Sequence, residues 1–132
     1  MSADMSKPLI EALHWRGLLV KAIEEKGEGY VYPRRPVSET YMCRYVLDGK
    51  PSCLIGHAMY YNGDPLAEIA KHEGRGAYAP VSALHQGLDW YVIHALQEAQ
   101  GGQDVGETWG SALRRYDQFA SNHILGYEEA IR

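Results

Sequence analysis

The sequence has no uninterrupted apolar run near the roughly 20 residues that a membrane-spanning helix requires. Residues 1–5 lack the basic start and the apolar stretch of a secretory signal. Cysteine is scarce, with two residues in 132, which excludes a disulfide framework of the kind that holds small secreted domains together. These absences predict a protein that works in the cytoplasm and does not associate with membranes.

Familiar catalytic and cofactor-binding motifs are also missing. No Gly-x-Gly-x-x-Gly follows a strand-like segment, and the glycines at 74 and 76 do not form a phosphate-binding loop. No two carboxylates are spaced so that they would meet on a buried face, as a two-carboxylate hydrolase requires. The formal net charge of −4 disfavours attraction of the whole molecule to nucleic acid. The sequence therefore predicts no cofactor.

Aromatic residues are plentiful but unevenly chosen: the chain has one Phe, three Trp and ten Tyr. Tyr and Trp carry a polar tip on an apolar ring, so they suit half-buried positions and binding surfaces. This composition predicts a surface that contacts another molecule.

The helix signals predict a mostly helical α+β fold in a single domain, residues 1–132. Helices are expected at 7–26, at 53–61 behind a Ser52 cap, and from 65 to about 74. A fourth is expected from 84 to 99, with its end at the glycine pair 101–102, and a fifth begins behind a Thr108 cap. The tail 123–132 is expected to add a short helical turn. Between the first two helices, aromatic and β-branched residues at 30–32 and 41–46 predict an antiparallel β-hairpin, closed off by a turn at 48–51.

Cys53 and His57 are the candidates for catalysis. With Ser52 as cap, Cys53 falls in the first helical turn, where free backbone N–H groups lower a thiol pKa, and His57 follows one turn later on the same face. Such a pair suits a nucleophilic enzyme or a redox sensor. The alternative is a buried cysteine that acts as a small hydrophobe, since the neighbouring residues are apolar. We prefer this structural interpretation and assign no catalytic residue.

A metal version of the same site would use Cys43, Cys53 and His57. Zinc would need a fourth ligand, for which several residues compete: His72, His85, His94 and Asp64. Neither cysteine has a second cysteine two to four residues away, as structural zinc sites usually do, so we assign no metal. A disulfide between Cys43 and Cys53 is the other alternative, and it would be transient in a reducing compartment.

Tyrosine and arginine alternate in the predicted β segment, and we expect the binding surface there. Its candidate residues are Tyr30, Tyr32, Arg34, Arg35, Tyr41 and Tyr45. Tyrosine stacking beside arginine–phosphate contacts is typical of single-strand nucleic-acid binders. Acidic residues are interspersed, however, and no recognition motif accompanies the segment, so nucleic acid is the less favoured partner.

Two stretches carry a family resemblance. Residues 43–46 lead into Gly49-Lys50-Pro51-Ser52-Cys53-Leu54-Ile55-Gly56-His57, and Ala99-Gln100 is followed by residues 103–106 and 108–113. Together these stretches resemble small proteins of actinobacteria and their bacteriophages, with which no activity is associated. The resemblance implies a cytoplasmic accessory protein, encoded by a phage and directed at a host component.

The sequence as a whole predicts a non-catalytic protein that binds a protein partner, such as a host protein, or a second copy of itself. A thiol-dependent enzyme or redox sensor based on Cys53 and His57 is the first alternative, and a nucleic-acid-binding module is the second.

Overall fold

A computed structural model describes residues 6–33 and 44–132 of the chain. The helices within these residues are α1 Ser6–Lys26, α2 Leu54–Tyr61, α3 Leu66–Ala70, α4 Tyr78–Leu84, α5 Trp90–Asp104, α6 Trp109–His123 and α7 Tyr127–Ala130. Thr108 caps α6 as predicted, because its hydroxyl accepts a hydrogen bond from the Ser111 N–H at 3.1 Å. The short helix α7 lies in the tail, where a helical turn was expected.

A small antiparallel sheet lies between α1 and α2, which confirms the predicted α+β class. Its strands are β1 Val46–Leu47 and β2 Lys50–Pro51. The turn that joins them passes through Asp48 and Gly49, both at positive φ, which matches the right-handed twist of a tight hairpin. The predicted strands were different: Val31 forms an isolated bridge with Thr108 instead. Residues 41–43 of the other expected strand lie outside the described residues.

Several predicted helix boundaries are wrong, for local reasons. Cys53 rather than Ser52 occupies the N-cap of α2, and its side chain makes no capping bond. The helix expected from 84 begins only at Trp90, because the chain turns through Gly87 at φ +91° and the helix starts behind Asp89; Leu84 instead ends α4. The Asp89 carboxylate accepts from the Tyr91 N–H at 2.9 Å and thereby caps α5. The glycine pair 101–102 does not end α5, which continues to Asp104.

The core forms where α1 packs against α2, α5 and α6. Helices α5 and α6 are antiparallel and lie side by side along their lengths. Two of the three tryptophans, Trp15 and Trp109, are almost completely buried among aliphatic residues from these helices. Across residues 6–33 and 44–132, we find no helix with the length and apolar character needed to cross a membrane.

Candidate functional site

Cys53 and His57 are both buried, at 0% and 3% relative exposure. The His57 Nδ1 donates a hydrogen bond to the Cys53 carbonyl oxygen at 2.9 Å. Its ring packs edge-on against Trp109, with the ring centroids 5.3 Å apart. Burial lowers the pKa of His57. The imidazole is therefore oriented by the backbone within an aromatic environment, and solvent does not reach the thiol in this fold.

The first-turn N–H groups of α2 already have partners. The Gln103 Oε1 accepts hydrogen bonds from the Leu54 N–H at 2.8 Å and from the Trp109 indole at 3.1 Å. The Gln100 Oε1 accepts from the Ile55 N–H at 3.3 Å. Both glutamines project from α5 and are buried. The N–H groups that were expected to stabilise a thiolate instead fix α2 onto α5.

The metal hypothesis is only partly covered by the structure. Among residues 6–33 and 44–132, no three His, Cys, Asp or Glu side chains are grouped so that they could hold a metal ion. One of the candidate fourth ligands, His85, pairs with Asp64 at 2.7 Å. Cys43 lies outside the described residues, so the set Cys43, Cys53 and His57 and the disulfide alternative stay predictions.

The predicted binding residues do not form one surface within the described chain. Tyr30 and Tyr32 line a cleft of about 390 Å³ with Lys26 and Lys50. The Tyr32 hydroxyl is hydrogen-bonded to the Ser52 hydroxyl at 2.6 Å. Tyr45 is buried at 2% exposure and donates from its hydroxyl to the Arg75 carbonyl. The others, Arg34, Arg35 and Tyr41, lie outside the described residues.

A different aromatic surface forms where α4, α5 and the end of α6 meet. We call it the aromatic face, and it consists of Tyr78, Trp90, Tyr91, His94, Phe119 and His123. Trp90 and His94 are one turn apart on α5, and Phe119 and His123 are one turn apart on α6. Each pair therefore shares a helix side. The antiparallel arrangement of α5 and α6 places these two sides next to each other.

The six rings of the aromatic face form a continuous series of contacts. Trp90 lies 4.0 Å from His94 and 5.9 Å from Tyr78, measured between ring centroids. His94 stacks on Phe119 at 6.2 Å, and Phe119 stacks on His123 at 4.2 Å. Tyr91 closes the series by stacking on His123 at 5.0 Å. Aromatic contacts of this kind favour the observed arrangement of the rings.

The aromatic face remains accessible to solvent. Trp90 is 56% exposed, in contrast to the buried Trp15 and Trp109, and Tyr91 and Tyr78 are 41% and 40% exposed. His94 lies deeper between these rings: its Nε2 is buried and has no hydrogen-bond partner among the described residues. Scattered apolar side chains on a surface are common, but contiguous exposed apolar groups usually mark an interaction site. The sequence signal was the i, i+4 spacing of Trp90 with His94 and of Phe119 with His123, which our sequence analysis did not use.

An acidic cavity adjoins the aromatic face at His123. It measures about 370 Å³, and its lining includes His123, Leu125, Glu128 and Glu129 but no lysine or arginine. Leu125 is among the most exposed apolar side chains that the structure describes. Aromatic face and acidic cavity thus share one side chain and together form a surface with an apolar part and an anionic part.

Comparison of the chain with protein-family models, with curated proteins and with solved structures finds no significant match. The function must therefore be argued from this chain's own residues.

Proposed function

We propose that this chain is a protein-interaction module and that the aromatic face is its contact surface. The observation that carries the proposal is the solvent exposure of three aromatic side chains, Tyr78, Trp90 and Tyr91, that belong to one continuous series of ring contacts. Aromatic residues are enriched in protein interfaces, and Trp and Tyr are the residues whose removal most often weakens binding. Burying such rings against a partner gains free energy from the apolar area removed from water.

We further propose, as expected from the sequence, that the protein is a phage-encoded accessory protein that acts in the cytoplasm on a host component. The partner is then a different protein rather than a second copy of the chain. The aromatic face would also suit self-association, so a homodimer is an outcome that the test must be able to detect.

The proposal is tested by comparing three purified proteins: the wild type, the double variant Trp90→Ser/Tyr91→Ser, and the control Val105→Ser. Val105 is an exposed apolar residue just beyond the other end of α5, so its replacement removes apolar surface away from the aromatic face. Each tagged protein is exposed to a lysate of the bacterial host, and the retained proteins are identified and quantified by mass spectrometry. We expect a specific protein to be retained by the wild type and by Val105→Ser but not by the double variant.

Light scattering on the same three proteins reports their oligomeric states. A wild-type dimer that becomes a monomer only in the double variant would identify a second copy as the partner. Equal retention of the same proteins by all three, with no change of oligomeric state, would contradict a role for the aromatic face.

A further inference from the structure

Carboxylates border the aromatic face along α5 and at its His123 end. Neither α4 nor α5 contains a lysine or an arginine, whereas Glu98 follows His94 by one turn on α5. The acidic cavity adds Glu128 and Glu129 at the His123 end. Within the described part of the chain, neither of these two carboxylates forms an ion pair.

The cations nearest to this surface are held by other carboxylates or lie to one side of it. The Lys7 ammonium, which donates to the Gly87 carbonyl, is paired with Glu11 at 3.4 Å. Arg115, one turn before Phe119 on α6, is held by Glu107 through two nitrogens of its guanidinium group and also interacts with Glu98. The remaining ones are Arg75, in the loop before α4, and Arg114 and Arg132, which line a neighbouring cavity that shares Ser121, Asn122 and Glu128 with the acidic cavity. Glu129, which lines only the acidic cavity, and the exposed rings of Trp90 and Tyr91 therefore remain available to a positively charged ligand.

We propose that the aromatic face and the acidic cavity together bind a basic, arginine-containing segment of a partner protein. A guanidinium plane stacks favourably on the exposed ring of Trp90 or Tyr91, and Trp gives the strongest cation–π attraction. A second guanidinium can reach Glu128 and Glu129, where planar two-point hydrogen bonding to a carboxylate is available. This inference rests on the proposed function and specifies the chemistry of the partner.

The probe is a synthetic peptide of alternating Arg and Gly with blocked ends. A matched peptide carries citrulline in place of arginine, which keeps a planar side chain of similar size but removes the charge and replaces one NH2 donor by a carbonyl oxygen. Binding of each is measured by isothermal titration calorimetry at about 50 mM and about 300 mM salt, since screening weakens ionic contacts across this range. We expect the Arg peptide to bind the wild type, the citrulline peptide to bind at least about tenfold more weakly, and added salt to weaken the Arg peptide.

Two variants separate the aromatic and the acidic contributions. We expect Trp90→Ala and the double variant Glu128→Gln/Glu129→Gln each to weaken the Arg peptide about three- to tenfold. The matched control is Glu24→Gln/Glu28→Gln, which removes the same net charge away from the aromatic face. Glu24 lies in the last turn of α1, and Glu28 follows the end of that helix. The other end of α1 is the one near the aromatic face, since Lys7 there is bonded to Gly87 just before α5. Glu24 lies 17 residues beyond Lys7, which is roughly 25 Å along the helix. We expect this control to bind like the wild type.

The inference is overturned if the Arg peptide does not bind at millimolar concentration, if the citrulline peptide binds equally well, or if the control double variant weakens binding as much as Glu128→Gln/Glu129→Gln. Circular dichroism of each variant establishes that it is folded. The outcome is separable from that of the proposed function. A captured protein whose binding depends on Trp90 but not on salt or on Glu128 and Glu129 would support an interaction module and reject a basic partner segment.

Discussion

A histidine enclosed by aromatic rings titrates differently from one in water, and His57 has such surroundings. Its ring contacts Trp109 and Tyr61, and its Nδ1 is bound to a carbonyl of its own helix. Burial is the main cause that lowers its pKa; Lys26 acts in the same direction, whereas the Cys53 carbonyl and Glu25 act against it. In the unfolded chain the imidazole is solvated and titrates near its ordinary value of 6.5.

This difference predicts that His57 makes stability depend on pH. Between the lowered pKa of the folded state and 6.5, the unfolded chain holds a proton that the folded protein does not, so the free energy of unfolding falls as the pH falls through this window. Above this window, His57 is neutral in both states and contributes no pH dependence. The measurement is urea unfolding of wild type and His57→Phe at several values from about pH 8 to about pH 5.

The comparison depends on the slope of stability against pH and not on stability at any one pH. The variant keeps every other titrating group, so a shallower decline on acidification isolates the contribution of His57. Parallel curves for the two proteins would show that the imidazole does not carry the effect.

Helix α2 approaches the chain before β1 so closely that one of its residues cannot carry a side chain. A Cβ placed on Gly56 would lie 2.2 Å from the Tyr45 carbonyl oxygen. Backbone atoms on the opposite side cannot move away as a flexible side chain could, so the contact would force the two elements apart. Gly56 therefore sets the distance between the small sheet and the helical core.

We predict that Gly56→Ala destabilises the protein by about 2–3 kcal/mol, the range expected for an overpacked interior. The matched control is Gly101→Ala, in the exposed part of α5, where an added Cβ meets nothing within 4 Å. There the substitution should stabilise the protein by up to about 1 kcal/mol, because alanine favours the helix. Thermal and urea unfolding of both variants measure the two signs. A Gly56→Ala protein as stable as wild type would contradict the close approach.

Glycines also mark the limits of sequence-based prediction at this scale. The first helix was predicted to within one residue and the cap of α6 was predicted correctly, because both depend on local signals. Gly101 and Gly102 were taken as the end of α5, but the helix continues through them. A Cβ on Gly102 would lie 2.8 Å from the Cδ of Arg115 on α6, so a larger residue there would displace that side chain. Such a contact is between distant residues and leaves no local pattern.

The candidate site forms only in the folded molecule. The sequence predicted that there is an aromatic binding surface but not where it lies. Its composition indicated an aromatic binding surface, but the expected place was the β segment, where Tyr45 in fact points into the core. The aromatic face unites residues of three helices that are up to 45 positions apart, from Tyr78 to His123. The i, i+4 pairs on α5 and α6 are visible in the sequence. Which side of each helix faces solvent depends on packing against α1, which the periodicity alone did not resolve.

A polar contact joins the first helix to the last two. Arg16 of α1 donates two hydrogen bonds to the Asp117 carboxylate, at 2.9 and 3.1 Å. The Tyr127 hydroxyl donates to the same carboxylate at 2.5 Å. Burial is the first cause that raises the pKa of Tyr127, and this hydrogen bond is the second. One carboxylate thus connects α1, α6 and α7.

We predict that Asp117→Ala lowers the free energy of unfolding by about 2 kcal/mol, because it leaves a half-buried guanidinium and a buried hydroxyl without their shared acceptor. The matched control is Glu107→Ala, which removes the carboxylate partner of Arg115, a surface ion pair. Exposed pairs contribute little, so its effect should be much smaller. Urea unfolding of the two variants tests the contrast, and equal losses would mean that Asp117 is no more than a surface residue. Limited proteolysis gives a second measure: when the shared acceptor is lost, cleavage should begin near α7, the shortest helix that Asp117 holds in place.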